Sequence, residues 1–222
     1  MPELTLLKNK PRFSVIIPAH NAADRITKLL DTIRDQSFQD YELIVVCDAC
    51  EDNTADIARR YTKSVYEVNF HHDGLTRNYG LDHAWGEWVL FADDDDWFLH
   101  EFVFEMLNSQ VGRQGEDVLM FSFIWKGVGY TRNVPRQWIA VWNKCWRRAF
   151  IGDTRFSDVP YSSDADFHRE MMQKGPKLAN WDTPMYYYNF LREGSLTKEL
   201  KDKGVLYQEI DYEKAERSMN HE

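Results

Sequence analysis

A chain of 222 residues with 43% hydrophobic and 28% charged side chains has enough apolar material to bury one sizeable core. Its formal net charge of −9 sets the surface as a whole against nucleic acid and anionic membrane, and no apolar run approaches the about 20 residues that a bilayer crossing needs. Three cysteines argue against a disulfide framework, and residues 1–10 lack a secretory pattern. The expected location is the cytoplasm, with peripheral attachment at the inner face of the membrane left open.

Residues 13–18 form a β-branched run closed by proline and predict a buried strand. Asn21 is placed to cap a helix in which Ile26, Leu29, Leu30 and Ile33 recur at three- and four-residue steps. A second strand follows at 41–46, then a helix capped by Asp52 or Thr54 that runs to Tyr61. Residues 64–68 predict a third strand, and 75–84 a helix with Leu75, Tyr79 and His83 on one face. Gly86 breaks that pattern ahead of a fourth strand at 88–92. Strands separated by single helices pair in parallel through right-handed crossovers, and ligands gather at their carboxyl ends.

The second half is less regular. Residues 98–110 read as a helix, 118–125 as a strand, 126–136 as a loop or hairpin, and 138–142 as a strand. Residues 164–173 predict a helix, 177–180 and 185–188 short strands, and 201–222 a tail helix or a loose tail. Cys47 and Cys50 form a C-x-x-C, but it ends an apolar strand and a zinc site would need two further ligands, so the spacing is incidental.

Asp93, Asp94, Asp95 and Asp96 stand at the mouth of the fourth strand and run straight into Trp97, Phe98 and Leu99. Two carboxylates about 5 Å apart repel by roughly 3 kcal/mol at an effective dielectric of about 20, so a fold that keeps four together needs something cationic. Hard oxygen donors at a strand end suit Mg²⁺ or Mn²⁺, with a nucleotide diphosphate completing the coordination. The competing reading is a solvated turn that caps the next helix.

The residues around this run resemble the family 2 glycosyltransferases, inverting enzymes of the GT-A fold. The resemblance begins with Val15-Ile-Ile-Pro-Ala-His-Asn21 and continues through Gln36 to Val46 and Asp48-Ala-Cys-Glu-Asp-Asn-Thr54. It takes in Gly74-Leu-Thr-Arg-Asn78, Gly80, Ala84 and Gly86, and reaches Phe91-Ala-Asp-Asp-Asp-Asp-Trp97. Looser matches are Val141 to Arg148, Ser163-Asp164 as the acidic motif, Tyr186 to Tyr188 and Arg192-Glu-Gly-Ser195.

The resemblance implies an α/β GT-A nucleotide-diphospho-sugar transferase fold, a mixed, mostly parallel sheet flanked by helices. It implies one catalytic domain over 1–222, with 11–97 as the nucleotide-sugar half, 98–200 as the acceptor side and 201–222 as the tail. Pro18, Ala19, His20, Asn21 and Asp48 would line the nucleobase and ribose pocket, Asp48 accepting from a uracil-type N–H. Arg77 would approach the donor's phosphates or sugar, Asp93 and Asp94 would contact ribose and sugar hydroxyls, and Asp95 would hold Mn²⁺ or Mg²⁺. Asp164 would be the general base for the acceptor hydroxyl, with Asp166 as a substitute and helix capping as the structural alternative.

The sequence departs from the family pattern at Cys47, Ala49, Cys50 and Ser163, the last standing where glutamate is usual. The Q-x-x-R-W pattern of processive members is absent, so transfer of a single sugar is expected; the resemblance further implies a UDP-sugar donor and a glycan or lipid-linked acceptor. Trp138, Trp142 and Trp146 are candidate acceptor-stacking surfaces, with core packing as the alternative. Rival readings are a non-catalytic nucleotide-sugar or glycan binder, a nucleotidyltransferase, which would need a Gly-rich basic loop in place of Pro18 to Asn21, and transfer to modified DNA or protein. DNA would require a local basic patch around Arg132, Arg136, Arg147 and Arg148.

Overall fold

The computed structural model describes residues 10–131, 134, 138–159 and 163–203. Strands β1 (Phe13–Ala19), β2 (Tyr41–Asp48), β3 (Ser64–Val68) and β4 (Trp88–Phe91) pair in parallel in the order β3-β2-β1-β4. Helices cover the sheet, so β1, β2 and β4 are buried nearly end to end and read as continuous apolar runs. The crossovers carry α1 (Ile26–Arg34), α2 (Thr54–Ala58) and α3 (Asp73–Asp82). α1 buries the expected stripe of Ile26, Leu29, Leu30 and Ile33.

After β4 the sheet continues through β5 (Trp97–Phe98), helix α4 (Val103–Gln110), β6 (Val118–Trp125) and β7 (Gly129–Thr131), then β8 (Lys144–Arg147), α5 (Arg148–Ile151), α6 (Ser163–Gln173), β9 (Leu178–Tyr188) and α7 (Leu196–Asp202). β8 lies antiparallel between β4 and β6, β9 runs parallel to β6, and β5 closes the edge antiparallel to β9. β7 folds back on β6 as a hairpin, one of the two alternatives expected for that segment. One mixed sheet therefore runs through both halves, and the carboxyl ends of β1, β2 and β4 open on the same side.

Several local expectations are corrected. Asn21 does not cap α1: it sits at φ 43°, its side chain accepts from Glu51 N at 2.8 Å, and the helix starts at Ile26. α2 is shorter than expected, and Asn53 holds its cap position, while Asp52 accepts from Thr54 N at 2.9 Å. The buried residues of α3 are Gly74, Thr76, Arg77, Gly80 and Leu81, while Leu75, Tyr79 and His83, expected together on one face, are half-buried. Gly80 decides this, since a Cβ there would fall 2.4 Å from Ile16 Cγ2. Tyr79 and His83 stack on each other with ring centroids 4.4 Å apart, as side chains on one face can.

The helix expected over 98–110 loses its start to β5, because Trp97 stacks on Tyr187 with centroids 4.1 Å apart and Phe98 pairs with Tyr186. α4 is then capped from a distance, by Gln36 Oε1 accepting from Phe104 N at 2.8 Å. Residues 138–142 form no strand: the ammonium of Lys144 takes the carbonyls of Trp138 and Ala140, acceptors that a ladder would need. The two short strands expected at 177–180 and 185–188 are one, β9, whose register against β6 shifts where Pro184 lacks a donor. Trp142 and Trp146 are core residues, 3% and 0% exposed, packed on Tyr186 and Phe167, and so offer no stacking surface. Trp138 is half-buried.

Candidate active site

The acidic run leaves β4 at the carboxyl end of the sheet, and three of its members meet an arginine from a different element. Arg77 of α3 donates through Nη2 to Asp93 Oδ1 at 2.8 Å. Arg25, ahead of α1, grips Asp94 with two bonds of 2.9 and 3.1 Å, and His20 N adds a third donor. Arg192, beyond β9, donates through Nε to Asp95 Oδ2 at 2.7 Å. Asp96 is buried and accepts from Asn189 N at 2.7 Å, and Tyr186 Oη accepts from Asp93 N at 3.0 Å. Burial pushes Asp94 up to about 6 even against Arg25, and drives Asp96 well above the carboxylate range with Asp93 and Asp95 adding to it.

Asp164 lies in the first turn of α6, where the helix dipole favours a carboxylate, and it is not itself the cap. Its Oδ1 stands 3.5 Å from Arg77 Nη1, is closed off from solvent, and accepts no hydrogen bond among the described residues. Burial raises this carboxyl to about 6; Arg77 opposes the rise, and Asp93 and Asp73 reinforce it. Asp166 is already committed, accepting from Ser157 Oγ at 2.8 Å and Arg169 Nη1 at 2.6 Å, and these bonds hold it below the ordinary range. The geometry therefore leaves Asp164, not Asp166, with an unused oxygen facing the acidic turn's arginine.

At the other end, Pro18 and Ala19 close β1 beside Val46 and Cys47 of β2, and His20 Nδ1 lies 2.7 Å from Asp48 O. Asp48 is 5% exposed and accepts from the N–H groups of Phe70, His71 and His72, and Thr76 Oγ1 lies 2.9 Å from its Oδ2 and 2.8 Å from His72 O. Burial alone would raise its pKa, but these donors outweigh it and hold the group below the ordinary value. The carboxylate thus fixes the backbone of residues 70–72.

Asp95 opens on a groove of about 500 Å³ lined by Asp24, Arg25, Thr27, Lys28, Asp31, Trp97 and Asn189. Among the described residues no three His, Cys, Asp or Glu side chains converge as a ligand set. A divalent ion here would rest on one or two carboxylates and on substrate phosphates, a mode that Mg²⁺ adopts readily, and the oxygen donor of Asp95 fits it. Of the suggested basic patch, Arg147 donates to Glu116 O at 2.6 Å and Arg148 to Gly86 O at 2.8 Å, and both are half-buried. Arg132 and Arg136 lie outside the described residues.

Sequence reasoning missed Arg25 and Asp73, and quoted Lys144, Arg192 and Tyr186 without giving them roles. Lys144 is wholly buried, bonded to three carbonyl-type oxygens, and pushed down to about 7 by burial with Asp164 opposing. The available signal was a charge count: four consecutive acids must be matched, but 27 lysines and arginines leave the partners unnamed.

Comparison with known proteins bears on this arrangement. TarS of Staphylococcus aureus strain Mu50, a poly(ribitol-phosphate) β-N-acetylglucosaminyltransferase, is 35% identical over 211 residues, covering 82% of this chain and 36% of TarS. The chain spans 32%, 60% and 36% of the length of three curated relatives that it matches. The crystal structure of S. aureus TarS 1–349 in complex with UDP-GlcNAc aligns with a TM-score of 0.74 at 25% identity, over 84% of this chain and 60% of that one. A mannosyltransferase, PcManGT from Pyrobaculum calidifontis, in complex with GDP-Man and Mn²⁺, aligns at 0.72 over 95% of this chain and 65% of its own. At 18% identity that likeness concerns the fold alone. The fold is thus the GT-A nucleotide-sugar transferase fold, as expected. The model of glycosyl transferase family 2 matches residues 14–175, and with the acidic turn and Asp164 set at one end of such a sheet, this chain belongs to glycosyl transferase family 2.

Proposed function

We propose that the chain moves a single sugar, with inversion, from a UDP-sugar to a hydroxyl of a surface glycan, lipid-linked oligosaccharide or related glycoconjugate. The observation that carries this is the unbonded, buried Oδ1 of Asp164, held next to the arginine that also binds the acidic turn. Similarity to a TarS structure that binds UDP-GlcNAc supports a uridine donor.

In this reading Asp164 takes the acceptor proton as the acceptor oxygen forms its bond to the anomeric carbon. The bond from that carbon to the diphosphate breaks on the opposite face, and its electron pair leaves with UDP. A base raised to about 6 is largely ionised near neutral pH and still basic enough to accept the proton. Pro18, Ala19, His20 and Asn21 form the nucleobase and ribose wall, with Asp48 bracing it. Arg77 holds Asp93 and faces Asp164 without bonding it, and Arg25 fixes Asp94 against His20. Asp95 would hold Mn²⁺ or Mg²⁺, which when bound neutralises charge on the departing diphosphate.

The test is turnover of a panel of UDP-sugars with Mn²⁺, in wild type and in Asp164→Asn. A loss of about 10²-fold or more in kcat with unchanged donor affinity is expected for a missing base. An Asp164→Asn protein that turns over normally removes the mechanism.

A further inference from the structure

The chemistry above asks for no carboxylate at the start of α3, yet Asp73 stands there at the junction of α3 and α6. Its Oδ2 accepts from Arg77 Nη1 at 2.6 Å and from Ser163 Oγ at 3.0 Å. Ser163 immediately precedes Asp164. The next residue, Gly74, makes the junction close: a Cβ there would meet Ser163 Cβ at 2.7 Å and Phe156 Cβ at 3.1 Å. Arg77 has given Nη2 to Asp93 and Nη1 to Asp73, and so stays 3.5 Å from Asp164, beyond a good hydrogen bond.

Resting on the reading of Asp164 as the base, we propose that Asp73 is its positioning residue. Asp73 draws the Arg77 guanidinium to itself and, through Ser163, ties the first turn of α6 to α3, so that Asp164 keeps an unbonded oxygen. The physical reason is competition for one cation. An arginine delivered fully to a carboxylate depresses its pKa by about 1–3 units, which would leave a poor base. Among the described residues, the charged groups that act most strongly on Asp164 are Arg77 and Asp73 from α3, Asp93 from the turn after β4, and Lys144 from β8. Without the charge of Asp73, Nη1 is free to close on Asp164 and one repulsion is lost. Both changes act in the same direction, toward a lower pKa.

Asp73 itself is not a second base. Burial would raise it, but Arg77 and Ser163 outweigh that and hold it below the ordinary range.

The experiment measures Asp164 directly. The carboxyl ¹³C titration of the full chain is recorded for wild type, Asp73→Asn, Asp73→Ser and Asp73→Glu, with the Asp164 resonance identified by its loss in Asp164→Asn. The pH dependence of UDP-GlcNAc turnover with Mn²⁺ is followed in parallel. In Asp73→Asn and Asp73→Ser the Asp164 midpoint is expected to fall by about one pH unit, the acid limb of kcat to move with it, and the plateau to drop about tenfold while donor KM holds within about threefold. Asp73→Glu, which keeps the charge, should retain the wild-type midpoint. An unmoved midpoint in the neutral variants, with Asp164→Asn inactive, overturns this inference alone. Turnover retained in Asp164→Asn overturns both it and the base assignment.

Discussion

Replacing Asp164 by asparagine should remove turnover and at the same time stabilise the protein at neutral pH. Burial lifts this carboxyl from its ordinary 3.8 to about 6, Arg77 pulling it down and Asp93 and Asp73 pushing it up. The folded chain therefore holds that proton more tightly than the unfolded chain does. The stability this contributes is complete below the unfolded value, is lost as pH rises through about 6, and is gone at pH 7.5. Each pKa unit corresponds to about 1.4 kcal/mol, so the ionised group costs the fold at most about 3 kcal/mol. The side chain is 26% exposed, and solvent screening trims this to about 1–2 kcal/mol. Asparagine keeps the shape without the charge. At about 2–4 °C per kcal/mol for a chain of this size, Tm should rise by about 2–8 °C at pH 7.5. Calorimetry of both proteins, without metal or nucleotide, at pH 7.5 and pH 4.5 checks it. The gap should close at pH 4.5, where the wild-type carboxyl is protonated. A variant that is less stable than wild type at pH 7.5, or a gap that is equal at both pH values, refutes the placement of Asp164 as a desolvated carboxylate.

Gly74→Ala would ordinarily gain helix propensity, but the close approach to Ser163 should make it destabilising by about 1–3 kcal/mol in urea unfolding and lower kcat by shifting α6. A stabilised variant would show that the two helices are not in such contact. Asp95→Asn should weaken Mn²⁺-linked UDP binding at least about tenfold by calorimetry while UDP binding without metal barely changes, as expected for a carboxylate that shares the ion with the diphosphate. Equal losses with and without metal would move the ion's anchor elsewhere. Trp142→Ala should cost about 3–5 kcal/mol as a core truncation, whereas Trp85→Ala, at a side chain 70% exposed, should stay within about 0.5 kcal/mol. A mild Trp142→Ala that impaired only acceptor use would restore the stacking role that its burial removes.

The N-terminal half was legible because its signals are local. β-Branched runs, one amphipathic stripe and strand-ending turns specify β1 to β4 and α1 from neighbours along the chain, and Val118–Trp125 and the helix bearing Asp164 were legible in the same way. The second half was harder because remote groups decided its elements. Gln36 caps α4 from 68 positions away, Lys144 withdraws two carbonyls from a would-be strand, and Tyr186 and Tyr187 pull Trp97 and Phe98 out of a helix.

The candidate site divides along the same line. Residue order was enough to mark the acidic run Asp93 to Asp96 at a strand end, and the family resemblance around it named Asp164 as the base to test. Which cation meets which carboxylate was decided only by folding. Arg25, Arg77 and Arg192 reach the acidic turn from three separate elements, and Asp73 meets Ser163 from 90 positions away. Charge pairing depends on distances of a few ångströms, and sequence separation says nothing about those until the sheet and its helices have brought the groups together.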